Sequence, residues 1–108
     1  ENTIYKIFKS EDGGAEVLSL MICSIGSENR GIMSLAVDES QRAVYFTTQD
    51  GTWAYVDGQV VPLLPVGGQV AFTGKALTIW DGINEQLLQV KDPAKRARQA
   101  LQVMRSKS

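Results

Sequence analysis

The chain has no histidine and one cysteine in 108 residues. Without imidazole it can build neither a Ser-His-Asp nor a Cys-His mechanism from its own residues, nor a zinc site that uses histidine. The lone thiol, Cys23, excludes an intrachain disulfide and any Cys-x-x-Cys pair, and in the apolar run Leu20-Met21-Ile22-Cys23 it reads as a small buried hydrophobe. Long apolar runs are missing too. The longest candidate, residues 54–66, is broken by Asp57, Gly58, Gln59 and two prolines, short of the roughly 18 residues that a membrane-spanning helix needs. An excess of one charge is also lacking: 11 basic and 12 acidic residues leave a net charge of −1, so the chain is not the polycation of a general nucleic-acid binder. Neither a GxGxxG nor a GxxxxGK[ST] phosphate loop occurs, and no segment has the spacing of a calcium loop. These absences point away from an enzyme and toward a chain with no catalytic residue, metal site or cofactor of its own. The first residue is Glu1, without an initiator methionine or a basic-then-apolar leader, as expected of a processed product or a piece of something longer.

What is present is a globular composition, 44% apolar and 21% charged, at a length suited to one domain. From Thr3 to Val90 apolar residues alternate or fall in short runs, with turn signals every six to ten residues, the pattern of many short strands. Strands are expected at 3–9, 16–25, 33–38, 43–48, 52–56, 59–64, 69–73, 76–80 and 85–90. Asp-Gly at 50–51 and 57–58 marks hairpins, because both residues tolerate positive φ. Pro62 cannot donate to a ladder, which makes its strand an edge or a bulged one. Residues 11–14 read as a turn, residues 26–31 as a loop, and the glycine pairs at 13–14 and 67–68 as turns. No helical segment separates these strands, so the sheets are antiparallel rather than built of βαβ units.

The period then changes. Asp92-Pro93 reads as an N-cap with proline at the first helical position, and Ala94, Ala97, Leu101 and Met104 follow at spacings of three and four, predicting an amphipathic helix over 93–105. Residues 91–108 carry six basic residues against one acidic, a net of +5, while residues 1–90 carry a net of −6. Such asymmetry places residues 1–90 as the β domain and 91–108 as a basic helix and tail. The helix has three available roles: docking on its own sheet through the Ala-Leu-Met stripe, docking on a partner, or presenting a basic face to an anionic surface. Lys95, Arg96, Arg98, Leu101 and Arg105 are its candidate interaction residues.

A phrase recurs. Ser34-Leu-Ala-Val-Asp38, Ala43-Val-Tyr-Phe-Thr-Thr48, Asp50-Gly51 is echoed by Gln69-Val-Ala-Phe-Thr73, Ala76-Leu-Thr-Ile-Trp80, Asp81-Gly82, about 35 residues on, near the low end of the spacing of propeller blades. The segment SLAVDESQRAVYFTTQDGTWAYVDGQVVPLL resembles one blade of the NHL-like and YWTD-like β-propellers. The resemblance implies an all-β fold of antiparallel propeller-like blades, about nine short strands and a little over two blades, with one C-terminal amphipathic helix. The alternative is a β-sandwich or barrel capped by that helix. Because propellers close with several blades, the resemblance further implies neighbours: other copies of the chain in a ring, or further blades of a longer propeller.

Asp38, Asp50, Asp57 and Asp81 fall at strand ends, where aspartate makes turns and where carboxylates at one propeller rim could hold a cation. Most aromatics belong to the core, with Trp53 and Tyr55, together with Asp38 and Asp81, as a candidate ligand groove. The leading expectation is therefore a non-enzymatic protein-interaction or scaffolding module that binds a protein partner or other copies of itself. The alternative is a hydrolase or carbohydrate-binding propeller whose site is shared between chains or with other blades.

Overall fold

The computed structural model of the chain describes residues 3–9, 15–21 and 32–106. The turn read at 11–14, Cys23 and the loop read at 26–31 lie outside the described residues. The chain divides into two compact units, residues 1–31 and 32–108. In the first, β1 (Thr3–Lys9) and β2 (Ala15–Met21) pair antiparallel, with Thr3 opposite Met21 and Lys9 opposite Ala15.

The second unit holds two antiparallel meanders and a helix. β3 (Ser34–Asp38), β4 (Ala43–Thr48), β5 (Gly51–Val56) and β6 (Gln59–Leu64) form a four-stranded sheet in chain order. β7 (Gln69–Phe72), β8 (Ala76–Asp81) and β9 (Gln86–Lys91) form a three-stranded one. Both sheets are open, and neither closes into a barrel. Helix α1 (Pro93–Ser106) follows β9. The fold is thus mainly antiparallel β with one C-terminal helix.

Turn chemistry sets the local geometry. Between β5 and β6, Asp57 (φ 49°) and Gly58 (φ 79°) both take the left-handed conformation of a two-residue hairpin turn. The β4–β5 hairpin is closed differently. Neither Asp50 nor Gly51 has positive φ; instead the Asp50 amide donates to Thr48 Oγ1 at 3.2 Å, so a threonine hydroxyl supplies what the expected left-handed pair would have done. Pro62 lies on edge strand β6, opposite Trp53, next to a register shift between Thr52 and Trp53, as its missing donor requires.

One core joins all three elements. The inward face of the first sheet (Ala43, Tyr45, Ala54, Val56, Val61, Leu63), that of the second (Leu77, Ile79, Val90) and the helix stripe Ala94, Ala97 and Leu101 make a single buried cluster. β7 lies along β3 and β4, while α1 lies along β5 and β6, closing the side that the second sheet leaves open. The helix therefore belongs to the same compact unit as both sheets, because its small alanines admit close approach and Leu101 fills the space between them.

The crossover from β6 to β7 is pinned by buried threonines: Thr47 Oγ1 donates to the Gly68 carbonyl (2.6 Å) and Thr52 Oγ1 to the Val66 carbonyl (2.7 Å). A Cβ at Gly67 would overlap the Thr48 carbonyl oxygen, so Gly67 is required by close backbone approach between the two sheets; one at Gly68 would overlap the Trp80 carbonyl oxygen of the neighbouring strand β8 in its own sheet.

Candidate functional site

The turns sort the polar residues into two ends. The β3–β4, β5–β6 and β7–β8 turns and the start of α1 share one end, which places Asp38 and Asp57 there. The β4–β5 and β8–β9 turns share the other, with Asp50 and Asp81. The four strand-end aspartates are thus split two and two. Among the described residues no group of three or more acidic or cysteine side chains is close enough to hold a metal ion.

At the first end lies a cleft of about 680 Å³, lined in part by Asp38, Gln41, Phe72, Lys75, Arg98 and Gln99. Asp38 is buried, accepting from Ser40 Oγ (2.7 Å), the Gln41 amide (3.2 Å) and Tyr45 Oη (3.4 Å). Tyr45 is itself buried, and its ring stands 5.5 Å from that of Phe72. Burial, followed by the adjacent Asp38 carboxylate, pushes the Tyr45 phenol above its ordinary range, so it stays a neutral donor. Arg98 ties α1 to two turns. Its Nε donates to Asp57 Oδ2 (3.1 Å) and its two terminal nitrogens donate to the Gln41 side-chain and backbone oxygens (both 2.8 Å). Of the helix start expected at Asp92-Pro93, the proline is in place. Asp92 serves through its backbone: its amide donates to the Lys75 carbonyl and its carbonyl accepts from Arg96, both at 3.0 Å, with φ 47° as the chain reverses out of β9.

Asp81, at the opposite end, organises its own turn. Its carboxylate accepts from the Ile83 and Asn84 amides, from Asn84 Nδ2 (2.8 Å) and from Gln86 Nε2 (3.2 Å). The Asn84 side-chain hydrogen bond leads the set that holds its carboxyl below the usual range.

The residues singled out as a candidate groove are not brought together. Asp38 is on the inward face of the first sheet, at one end; Asp81 is at the other end; Trp53 and Tyr55 pair with Phe46 and Val44 on the outward face. Trp53 borders a separate apolar hollow of about 270 Å³ with Pro62, Leu64 and Pro65. On the helix, Lys95, Arg96 and Arg105 are exposed, Arg98 is the strut to the turns, and Leu101 is buried in the core, unavailable to a partner while the helix is docked.

A surface not singled out by the motifs stands out in three dimensions. On β7–β9 the side chains facing away from the core are Gln69, Ala71, Thr78, Trp80, Leu87 and Gln89. Trp80 and its cross-strand partner Leu87 are 44% and 66% exposed, and Ile83 in the adjoining turn is 94% exposed. The signal was in the sequence as two apolar residues, Trp80 and Leu87, at positions whose neighbours alternate into the core; only the pairing of β8 with β9 puts them side by side. Compared with protein-family models, with curated proteins and with solved structures, the chain matches none.

Proposed function

We propose that the chain is a non-enzymatic protein-interaction or scaffolding module, built of propeller-like blade layers, that meets its partner through the outward face of β7–β9. The observation that carries this reading is the exposed Trp80–Leu87 pair on a face whose other strand positions Gln69, Ala71, Thr78 and Gln89 carry no charge. Contiguous apolar exposure of this kind marks interaction surfaces.

The pairing registers support the layered reading. Leu35 faces Phe46 as Val70 faces Ile79, Ala36 faces Tyr45 as Ala71 faces Thr78, and Val37 faces Val44 as Phe72 faces Leu77. In the first sheet the face bearing Ala36 and Tyr45 is covered by the second sheet; its counterpart in the second, bearing Ala71 and Thr78, is the exposed one. The layers thus face the same way, as stacked blades do, and the last face is open for another polypeptide.

A photoreactive residue in place of Leu87, with Lys75 at the far turn as the control position, tests this in extracts of cells producing the full chain. Crosslinks to protein at 87 and not at 75 are expected. Equal labelling, or none at 87, would refute the proposal.

A further inference from the structure

The cleft between the β3–β4 turn, the β7–β8 turn and α1 has the size of a small-molecule site. Its volume of about 680 Å³ lies within the roughly 300–1,000 Å³ usual for such sites. Hydrogen bonds made by the fold tie its walls together. Arg98 on α1 holds the side-chain and backbone oxygens of Gln41 in the first turn, and the Asp92 amide at the start of α1 holds the Lys75 carbonyl in the second. An incoming ligand therefore has little left to order, and ordering is a large part of what binding costs.

The groups that the fold leaves unused select the ligand. Asp38 and Arg98 line the cleft with their charges already met: Ser40, the Gln41 amide and Tyr45 all donate to the Asp38 carboxylate, and Arg98 is paired with Asp57. Lys75, from the β7–β8 turn, and Lys95, from α1, are not met in this way. Both are exposed, and neither ammonium has a hydrogen bond or ion pair among the described residues. Asp92 is the remaining acid of the lining, one carboxylate against two ammonium groups, so positive charge is left over. Gln99 and Gln102, four and seven residues beyond Lys95, continue the same side of the helix and add amide donors. The apolar part of the lining is aromatic: Phe72, half-buried on the inward face of β7, borders the cleft with its ring backed by Tyr45 at 5.5 Å.

We infer that this cleft binds a small organic anion, a phosphate or carboxylate carried on a flat apolar body. Lys75 and Lys95 hold the anionic group, and Phe72 packs against the body. The site shares no residue with the Trp80–Leu87 face and stands independently of it. Exposed lysines act through water and each adds only modestly, so binding is in about the millimolar range and weakens as salt is raised.

Phenyl phosphate, which carries both parts on a small frame, is the first probe. Titrated to about 20 mM into the nitrogen-15-labelled full chain at about neutral pH, it should give saturable amide shifts centred on Gly74, Lys75, Lys95 and Gln99. Phenol, without the anion, should bind about tenfold more weakly or worse. Phenylacetate distinguishes the two anionic groups, the tighter of it and phenyl phosphate naming the one the site prefers. Lys75→Gln and Lys95→Gln should each weaken binding about threefold or more. Gln99→Trp, which fills the cleft without changing its charge, should weaken it about tenfold or more. Lys91→Gln makes the same charge change at an exposed lysine outside the cleft and should alter binding less than about twofold. All four positions are exposed and outside the core, so the variants keep the fold. Shifts that never saturate or that spread over lysines outside the cleft would overturn the inference. So would phenol binding as tightly as phenyl phosphate, equal losses in Lys91→Gln and Lys75→Gln, or unchanged binding in Gln99→Trp.

Discussion

Replacing Leu101 by alanine removes the largest side chain that α1 contributes to the core, where it is 3% exposed beside Ala94 and Ala97. Buried Leu→Ala changes cost about 2–5 kcal/mol, the spread reflecting how far the surroundings collapse into the space. Here collapse is available on one side, because Met104, one turn on, is half exposed on the same stripe and can fold inward. That places the loss in the lower part of the range, about 2–3 kcal/mol, far above the ~0.2 kcal/mol that alanine's better helix propensity returns. With a typical urea dependence of about 1–2 kcal/mol per molar for a unit this small, the unfolding midpoint falls by about 1–2 M. Val103→Ala, at an exposed position on the same helix, is the control and changes stability by less than about 0.5 kcal/mol. Urea titration followed by tryptophan fluorescence and by far-UV circular dichroism measures both, and the two signals coincide if helix and sheets unfold together. If Leu101→Ala is no worse than Val103→Ala, or if a chain ending at Asp92 still unfolds cooperatively with an unchanged midpoint, the helix is not part of the core.

Two further outcomes test the ends of the sheets. Asp81 has its carboxyl held below the usual range by hydrogen bonds made in the fold, so its contribution is present above the unfolded value of about 4 and is lost as pH falls through the lower folded value. Comparing urea midpoints at about pH 7 and about pH 3, Asp81→Asn should lower stability at the higher pH and shrink the difference between the two; an unchanged difference would mean that the turn does not select the ionised form. At the crossover, Gly68→Ala drives a Cβ into the Trp80 carbonyl while Thr47 holds the Gly68 carbonyl, and should cost more than about 3 kcal/mol or prevent folding. Gly58→Ala meets no neighbour and carries only the left-handed φ, about 1–2 kcal/mol; equal costs would show that the chain entering β7 gives way easily against β8.

Much of the secondary structure was legible because it is encoded locally. Period-two alternation placed the strands, the proline after Asp92 placed the start of α1, and Pro62 marked β6 as an edge. The two Asp-Gly hairpins show the limit of local rules. Asp57-Gly58 follows the positive-φ argument, whereas at Asp50-Gly51 a neighbouring threonine hydroxyl closes the turn by another route. The glycine pair at 67–68 looked like turn chemistry; the carbonyls that forbid a side chain there come from Thr48 and Trp80, distant in sequence.

The candidate groove was less legible. Alternation tells which residues of one strand share a face, and so put Trp53 with Tyr55, yet it does not say which face meets the next layer or at which end a turn lies. Asp38 and Asp81 occupy similar positions beside turns in the sequence, but an antiparallel meander sends successive turns to opposite ends, and theirs are at opposite ends. The same holds for the helix. Its spacing announced an apolar stripe and its charge a basic face, while the decision between docking at home and docking on a partner depended on the space that β7–β9 leaves over β5 and β6.

By itself, then, the sequence determined the order and kind of the elements, since periodicity and turn preference act over a few residues, and it excluded an imidazole supplied by this chain and an intrachain disulfide. Tertiary structure alone decided that Leu101 is core, that Arg98 joins α1 to two turns, and that Trp80 and Leu87 stand together in solvent. Each of these depends on contacts between residues far apart in the chain, and such contacts are fixed by how whole faces fit rather than by any short pattern.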